Sequence, residues 1–577
     1  MVIPLAGPDV FHAFNCIAEP LGNPCVSDAH PVHERCRSSA RTSGRGSGVR
    51  ELVTGWTGRT ACALQAALRM SNEAFAEHLG IAVRTVSGWH KKLTLVPKTE
   101  MQQLLDTALE QAPPPVAARF AQLISDAAEA KPADTPTDDQ AAPDAELRLG
   151  TDPNIGAALE WLDEHAGREP GTSRRDVAAR LARLDVGELQ SRASRRGRVD
   201  QRSVAQVLGR YYGERTGSHG RYVARFGSDT EAETSILTRA DWLDLECPLI
   251  ASHDRLTITR AAAADLSLDD DAAGRAAQRL AETLAMGTRL VDMPLYQLLG
   301  VDVSRGSIRG SVGVTRFVEY AVTMDLLEGE LIDAIATDAG SAHTALPLRD
   351  KYLPDIASVV DVSSRLCAGG PLALCAIARP ASPFRGEADY VLLVQERSGN
   401  VLNAARRLAV IPKGFHQPMT DLRADAQVGA TLRREMEEEL FGRDDIDSTV
   451  GDQRTADPMH PSRLSEPMRW LMEKPGVLRM ECTGFGLNLL SGNFEFPSLI
   501  VIDDEEFWAR YGGRVEANWE SAGLRQYSSL DGDLLGELVR DVAWSNEGLF
   551  ALLQGLRRLG QIGGERVSLP PIEWEVW

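Results

Sequence analysis

A chain of 577 residues has room for three or four domains of about 150 residues each. Hydrophobic residues make up 43% and charged residues 25%, enough for real cores, and no run of 18 uncharged apolar residues predicts a membrane span. The net charge of −20 rules out a surface that attracts nucleic acid everywhere, so any such contact must come from a local excess of base.

Eight cysteines are scattered along the chain with no C-x-x-C pair, which predicts free thiols in a reducing cytoplasm. The first residues lack a basic stretch followed by an apolar core, so no secretory leader is expected. Residues 1–54, rich in Gly, Pro, Ser and Arg, read as a disordered segment. Their His and Cys spacings match no common zinc pattern.

Thr60 to Met70 (TACALQAALRM) predicts a first helix. Asn72 to Lys92 (NEAFAEHLGIAVRTVSGWHKK) then reads as two short helices around a tight turn. Ala76, Leu79, Ile81, Val86 and Trp89 are the apolar positions, and Gly80 falls where a residue without Cβ turns most easily. Arg59, Arg69, Arg84, Lys91, Lys92 and Lys98 against Glu73 and Glu77 give the segment 59–98 a charge of +4. A plain helical hairpin would not need that cationic island, whereas phosphate binding would. The segment resembles the helix-turn-helix of the lambda-repressor-like (xenobiotic-response-element) family. By that resemblance the second helix enters the major groove of double-stranded DNA, with Arg84, Thr85, Ser87, His90, Lys91 and Lys92 as contact residues.

Helices at Thr99–Glu110 and Val116–Ala128 complete the predicted module over residues 55–128. Residues 129–152 have the acidic, Pro-rich composition of a linker. Region 153–360 predicts helices at Ala157–His165, Asp176–Leu184 and Ser203–Tyr212, and short strands within Thr234–Leu249. An Ala-rich helical stretch follows at Thr257–Met286, and then glycine turns at Gly306–Val314. Between Arg168 and Arg225, 14 Arg face six acids, a net +8. That stretch suits either a second nucleic-acid contact or, slightly better, a face docked on an acidic neighbour.

From 361 the pattern changes again. Tyr390–Glu396 and Arg407–Ile411 read as strands, Pro412-Lys413-Gly414-Phe415 as a loop, and Val428–Leu440 (VGATLRREMEEEL) as a helix. On that helix Glu435, Glu438 and Glu439 fall at i, i+3 and i+4 and share a side. Phe496–Ile502 predicts another strand and Asp541–Leu559 a closing helix, with Glu495, Glu516, Glu520 and Glu547 as unranked late acids. The run Arg434-Glu435-Met436-Glu437-Glu438-Glu439 behind a Pro-Lys-Gly loop resembles the Nudix box. The resemblance implies Glu435, Glu438 and Glu439 as ligands of Mg²⁺ or Mn²⁺, with Arg434 orienting them. Thr420 stands where that family places a Glu, and counting back from Arg434 gives Ala426 beside Asp425.

The expected architecture is multidomain: an all-α helix-turn-helix N-terminal domain, a mixed α/β middle region (153–360) and an α+β Nudix-like C-terminal domain (361–577). The expected function is a cytoplasmic, homodimeric DNA-binding transcriptional regulator whose C-terminal domain senses a nucleotide or nucleoside-diphosphate ligand. A metal-dependent Nudix-type pyrophosphohydrolase and a protein-binding scaffold are the alternatives.

Overall fold

The structure, a computed structural model, describes residues 56–68, 70, 72–81, 85, 86, 88, 89, 95, 97–110, 112, 116, 120, 138–213, 215–259, 267–337, 345–383, 386–397, 407–442, 459–512, 515 and 521–577. The chain divides into two compact units, Met1–Thr135 and Pro136–Trp577.

In the first unit every described element is helical, with helices at Gly58–Leu68, Asn72–Leu79 and Thr99–Glu110. The first begins at Gly58 rather than Thr60 because Thr57 caps it: the Thr60 amide donates to the Thr57 hydroxyl at 3.3 Å, and the Thr57 amide to the Thr60 hydroxyl at 2.8 Å. Ala76, Leu79, Val86 and Trp89 are buried, and Phe75 meets the Trp89 ring edge-on at 6.4 Å. Gly80 holds the turn at φ +67°, a conformation that strains any residue with a Cβ. Trp56 stacks on Phe120, and its indole N–H donates to Asp106 at 2.7 Å, so the large ring is buried with its polar edge satisfied.

The second unit is built on two sheets. Its strands are β1 (Gly220–Phe226), β2 (Thr230–Thr238), β3 (Leu243–Pro248), β4 (Asp254–Ile258), β5 (Pro294–Ser304), β6 (Ser307–Arg316) and β7 (Gly369–Arg379). They continue as β8 (Asp389–Arg397), β9 (Leu408–Val410), β10 (Leu478–Gly484), β11 (Gly486–Asn488), β12 (Phe494–Ile502), β13 (Ser521–Ser528) and β14 (Ile572–Val576). The larger sheet runs β13-β8-β7-β12-β11-β2-β1-β14, with β9 on β8 and with β10 joining β12 to β3. The smaller is β4-β6-β5.

β7, β8 and β12 are buried at nearly every position because both faces of the sheet are covered. Alternation sends Leu372, Leu374, Leu392, Val394, Leu499 and Val501 to one core, and Cys375, Ile377, Val391, Leu393, Ile500 and Ile502 to the other. The helix Asn546–Ile562 seals the first through Leu549, Leu553 and Leu556, and the helix Val428–Glu435 joins the second through Val428 and Leu432. The closing helix starts at Asn546 rather than Asp541 because Ser545 caps it, accepting from the Gly548 amide at 3.1 Å.

Four expectations change. The linker predicted at 129–152 becomes, over Asp138–Thr151, a helix that buries Ala145 and Leu149 in the core of the second unit. Thr257–Met286 is not helical throughout: Thr257 and Ile258 end β4, paired with β6, and Asp269 caps a helix at Asp270–Ala285. The glycines of 306–314 lie in a strand apart from Gly306, which turns at φ +75°. Gly310 is needed there, since a Cβ would fall 2.3 Å from the Gly300 carbonyl oxygen. Nor does the chain divide near residue 360. β2 from the middle region pairs with β11, and β1 pairs with β14, so one sheet draws on both sides of that boundary.

Among the described residues no helix is long and apolar enough to cross a membrane. Cys62, Cys247, Cys367, Cys375 and Cys482 are free thiols, while Cys16, Cys25 and Cys36 lie outside the described residues.

Gly555 lets the closing helix lie close to the sheet, since a Cβ there would fall 2.8 Å from the Leu374 Cβ. Gly555→Val is expected to lower stability by about 1–3 kcal/mol through overpacking, read as a fall in the urea midpoint at constant m-value.

Candidate functional site

The loop after β9 is fixed from three sides. The Pro412 carbonyl accepts from the Ala373 amide at 2.9 Å and the Gly414 amide donates to Pro371 at 3.3 Å, which stitches the loop to β7. The Lys413 amide donates to Glu439 Oε2 at 2.6 Å, while its ammonium donates to Glu547 Oε1, also at 2.6 Å. One residue therefore ties the loop to the acidic helix and to the closing helix. Gly414 allows the acidic helix to come close: a Cβ there would sit 2.0 Å from Glu435 Oε1.

His416, absent from the sequence-based expectations, pins the next step of the loop. Its Nε2–H donates to the Ala426 carbonyl at 3.0 Å, so Nδ1 accepts from the Thr431 hydroxyl at 2.9 Å. Burial, reinforced by the Arg434 charge, pushes its pKa down to about 3 and keeps the ring neutral. Asp425 takes the Met419 and Asp421 amides at 2.8 and 3.0 Å, so its carboxylate holds a turn together.

The predicted helix Val428–Leu440 is α-helical to Glu435 and then widens into a π-helical turn, Met436–Leu440, closed by the Phe441 amide on the Met436 carbonyl at 3.2 Å. Such turns recur where side chains must be re-aimed at functional sites. Glu435, Glu438 and Glu439 are all buried here. Arg434 donates to Glu435 at 2.6 Å and lies 3.8 Å from Glu438, while Glu439 receives the Lys413 amide and the Gln395 amide group. The charge of three carboxylates against one guanidinium suits a divalent cation. Among the described residues, however, no three His, Cys, Asp or Glu groups converge closely enough to hold one. In this conformation Glu435 and Glu438 share Arg434, while Glu439 is turned to Lys413 and Gln395.

Beside this helix lies a second buried polar cluster, which joins two of the late acids. Asn488 donates to Glu495 Oε1 and to Glu547 Oε2, each at 3.3 Å. Burial opposes ionisation of Glu547, but the Lys413 ammonium outweighs it and holds the carboxyl below its usual range. Glu495 makes no ion pair among the described residues, and burial and the Glu547 charge outweigh the pull of Lys413 and push it up to about 8. Glu328 is raised to about 7 by burial and by the charges of Asp325 and Glu547. The signal in the sequence was Glu495 itself, a carboxyl within the apolar run FEFPSLIVI that needs a partner once buried. Glu516 and Glu520 lie outside the described residues.

Of the six residues expected to contact DNA, Thr85 is half-buried, and Arg84, Ser87, His90, Lys91 and Lys92 lie outside the described residues. Part of the basic stretch 168–225 pairs with acids of its own unit, while Arg183, Arg195, Arg198, Arg202 and Arg210 are exposed. Arg192 pairs with Glu282, Arg196 with Asp333, and Arg168 with Asp270 at 3.6 Å.

Glu495 binds its proton more tightly folded than unfolded, so its contribution to stability is complete at low pH and fades as pH climbs from about 4.5 through 8. Glu495→Gln is expected to flatten that decline and to be the more stable protein above pH 8, measured by urea unfolding across the pH range. Comparison of the chain with protein families, and separately with curated proteins, finds no match.

Proposed function

We propose that the chain is a DNA-binding transcriptional regulator whose Nudix-like region senses a nucleotide or nucleoside-diphosphate ligand. The observation that carries this reading is the burial of Ala76, Leu79, Val86 and Trp89 around the Gly80 turn. Phe75, Ala76, Leu79, Val86 and Trp89 are taken up by a helical core. Contacts to DNA then fall to the polar and basic members of segment 72–92: Arg84, Thr85, Ser87 and His90 for base edges, Lys91 and Lys92 for phosphates. One recognition helix reads only a few base pairs, so the protein acts as a homodimer on a two-fold site.

The strand, loop and helix order around Lys413 supports the sensing half of the proposal. A ligand that displaces the Lys413 amide from Glu439, or its ammonium from Glu547, changes how two helices are held, and that is the differential contact a switch requires. The close seating of Glu435 on Gly414 favours a second reading, a Nudix-type pyrophosphohydrolase. That reading requires Glu435, Glu438 and Glu439 to leave their present partners and converge, and Mg²⁺ or Mn²⁺ bound there would supply neutralisation of a diphosphate.

The regulator reading predicts sequence-selective DNA binding that weakens steeply with salt, measured by gel shift. Arg84→Ala is expected to relax discrimination at one base pair by about 1–3 kcal/mol. Binding that ignores salt, or an unchanged preference in Arg84→Ala, contradicts it. Mg²⁺-dependent release of phosphate or nucleoside monophosphate that disappears in Glu438→Gln favours the hydrolase.

A further inference from the structure

Two helices of the second unit, Val186–Arg196 and Gln201–Tyr212, sort their arginines by face. Arg192 and Arg196, one turn apart, are taken up by Glu282 and Asp333. Arg195, Arg198, Arg202 and Arg210 are exposed, and among the described residues their side chains make no ion pair or hydrogen bond. The connection between the two helices is short and fixed. The Arg198 amide donates to the Arg195 carbonyl at 3.0 Å, Val199 is buried, and Asp200 caps the second helix by accepting from the Ser203 amide at 2.7 Å. Arg195, Arg198 and Arg202 are thereby held on neighbouring turns. Arg210 follows Arg202 about 12 Å along its helix, with Gln206 exposed between them on the same side.

From Arg195 to Arg210 the exposed residues are these four arginines, Gly197 and Gln206. No exposed acid lies among them in the sequence, although the chain as a whole carries −20. Helix stability does not explain the set. A cation in a last turn favours the negative end of the helix dipole, which accounts for Arg195 and Arg210, but Arg202 stands in a first turn, where the positive end repels it. The exposed set also contains no aromatic or aliphatic side chain. A membrane-binding face needs apolar groups to enter lipid, and a single-strand platform needs rings on which bases stack. A duplex backbone needs neither: guanidinium groups suit its phosphates, and it presents one charge per about 1.7 Å of axis. We propose that this face docks on the phosphate backbone of double-stranded DNA, a sequence-independent contact made by the second unit. The choice of DNA among polyanions rests on the regulator reading, whereas the phosphate chemistry rests on the arginines alone.

The full chain is titrated by fluorescence anisotropy with a short DNA duplex of arbitrary sequence over a range of KCl concentrations. Arg195→Gln, Arg198→Gln, Arg202→Gln and Arg210→Gln combined are expected to leave the thermal transition in place. They should weaken binding at low salt by more than about tenfold and make the slope of log K against log salt shallower by about 3–4. Arg202→Gln alone should make it shallower by about 1, and it decides the matter if the four-site variant does not fold. The proposal is overturned if the folded variant keeps the affinity and slope of the unaltered chain. It is equally overturned if these arginines bind phosphatidylserine vesicles and not duplex DNA. The regulator reading fails separately, when the full chain shows no preference among duplex sequences, and the loss of slope then still supports this contact.

Discussion

A lysine ammonium held on a buried carboxylate organises the second unit around its candidate site. Lys413 and Glu547 are both well removed from solvent, with side chains 13% and 4% exposed. Each would be expensive to bury alone, and together they are tolerable only because the contact is short and Asn488 takes up the remaining oxygen of Glu547. The same residue offers its amide to Glu439. The position of the loop, the start of the closing helix and the end of the acidic helix are thereby set together. Glu495, beside this pair and with no ion pair of its own among the described residues, keeps its proton.

Much of the scaffold was legible because its buried strands are short, unbroken apolar runs. Tyr390–Glu396 and Phe496–Ile502 lie inside β8 and β12, and their alternate residues divide between two cores as strand geometry demands. Helix starts were legible where a cap was plain. They shifted where the cap was a less obvious one, as at Thr57 and Ser545. Composition misled where tertiary burial overrode it. The Pro-containing stretch 138–151 is helical because Ala145 and Leu149 find a core to enter, and the glycines after Gly306 lie in a strand because two backbones pass there almost in contact.

The site was legible only as a list of acids. Spacing put Glu435, Glu438 and Glu439 on one side of a helix, but it carried no hint of the π-helical turn or of the partners each glutamate takes. Nor does local spacing bring Lys413 and Glu547 to Asn488 and Glu495, which sit on one hairpin, β11–β12. Packing of the loop and the closing helix against that hairpin creates the cluster. The hairpin itself belongs to the large sheet that joins the middle and C-terminal halves of the unit.

The most direct test of this account is a double-mutant cycle on Lys413→Met and Glu547→Gln, read by urea unfolding at neutral pH. Removing either partner alone should cost about 3–5 kcal/mol, because the other charge is left buried and unpaired, and the double variant should recover most of that loss. Single effects that simply add to within about 0.5 kcal/mol would show that the pair does not hold the loop, and would contradict the account.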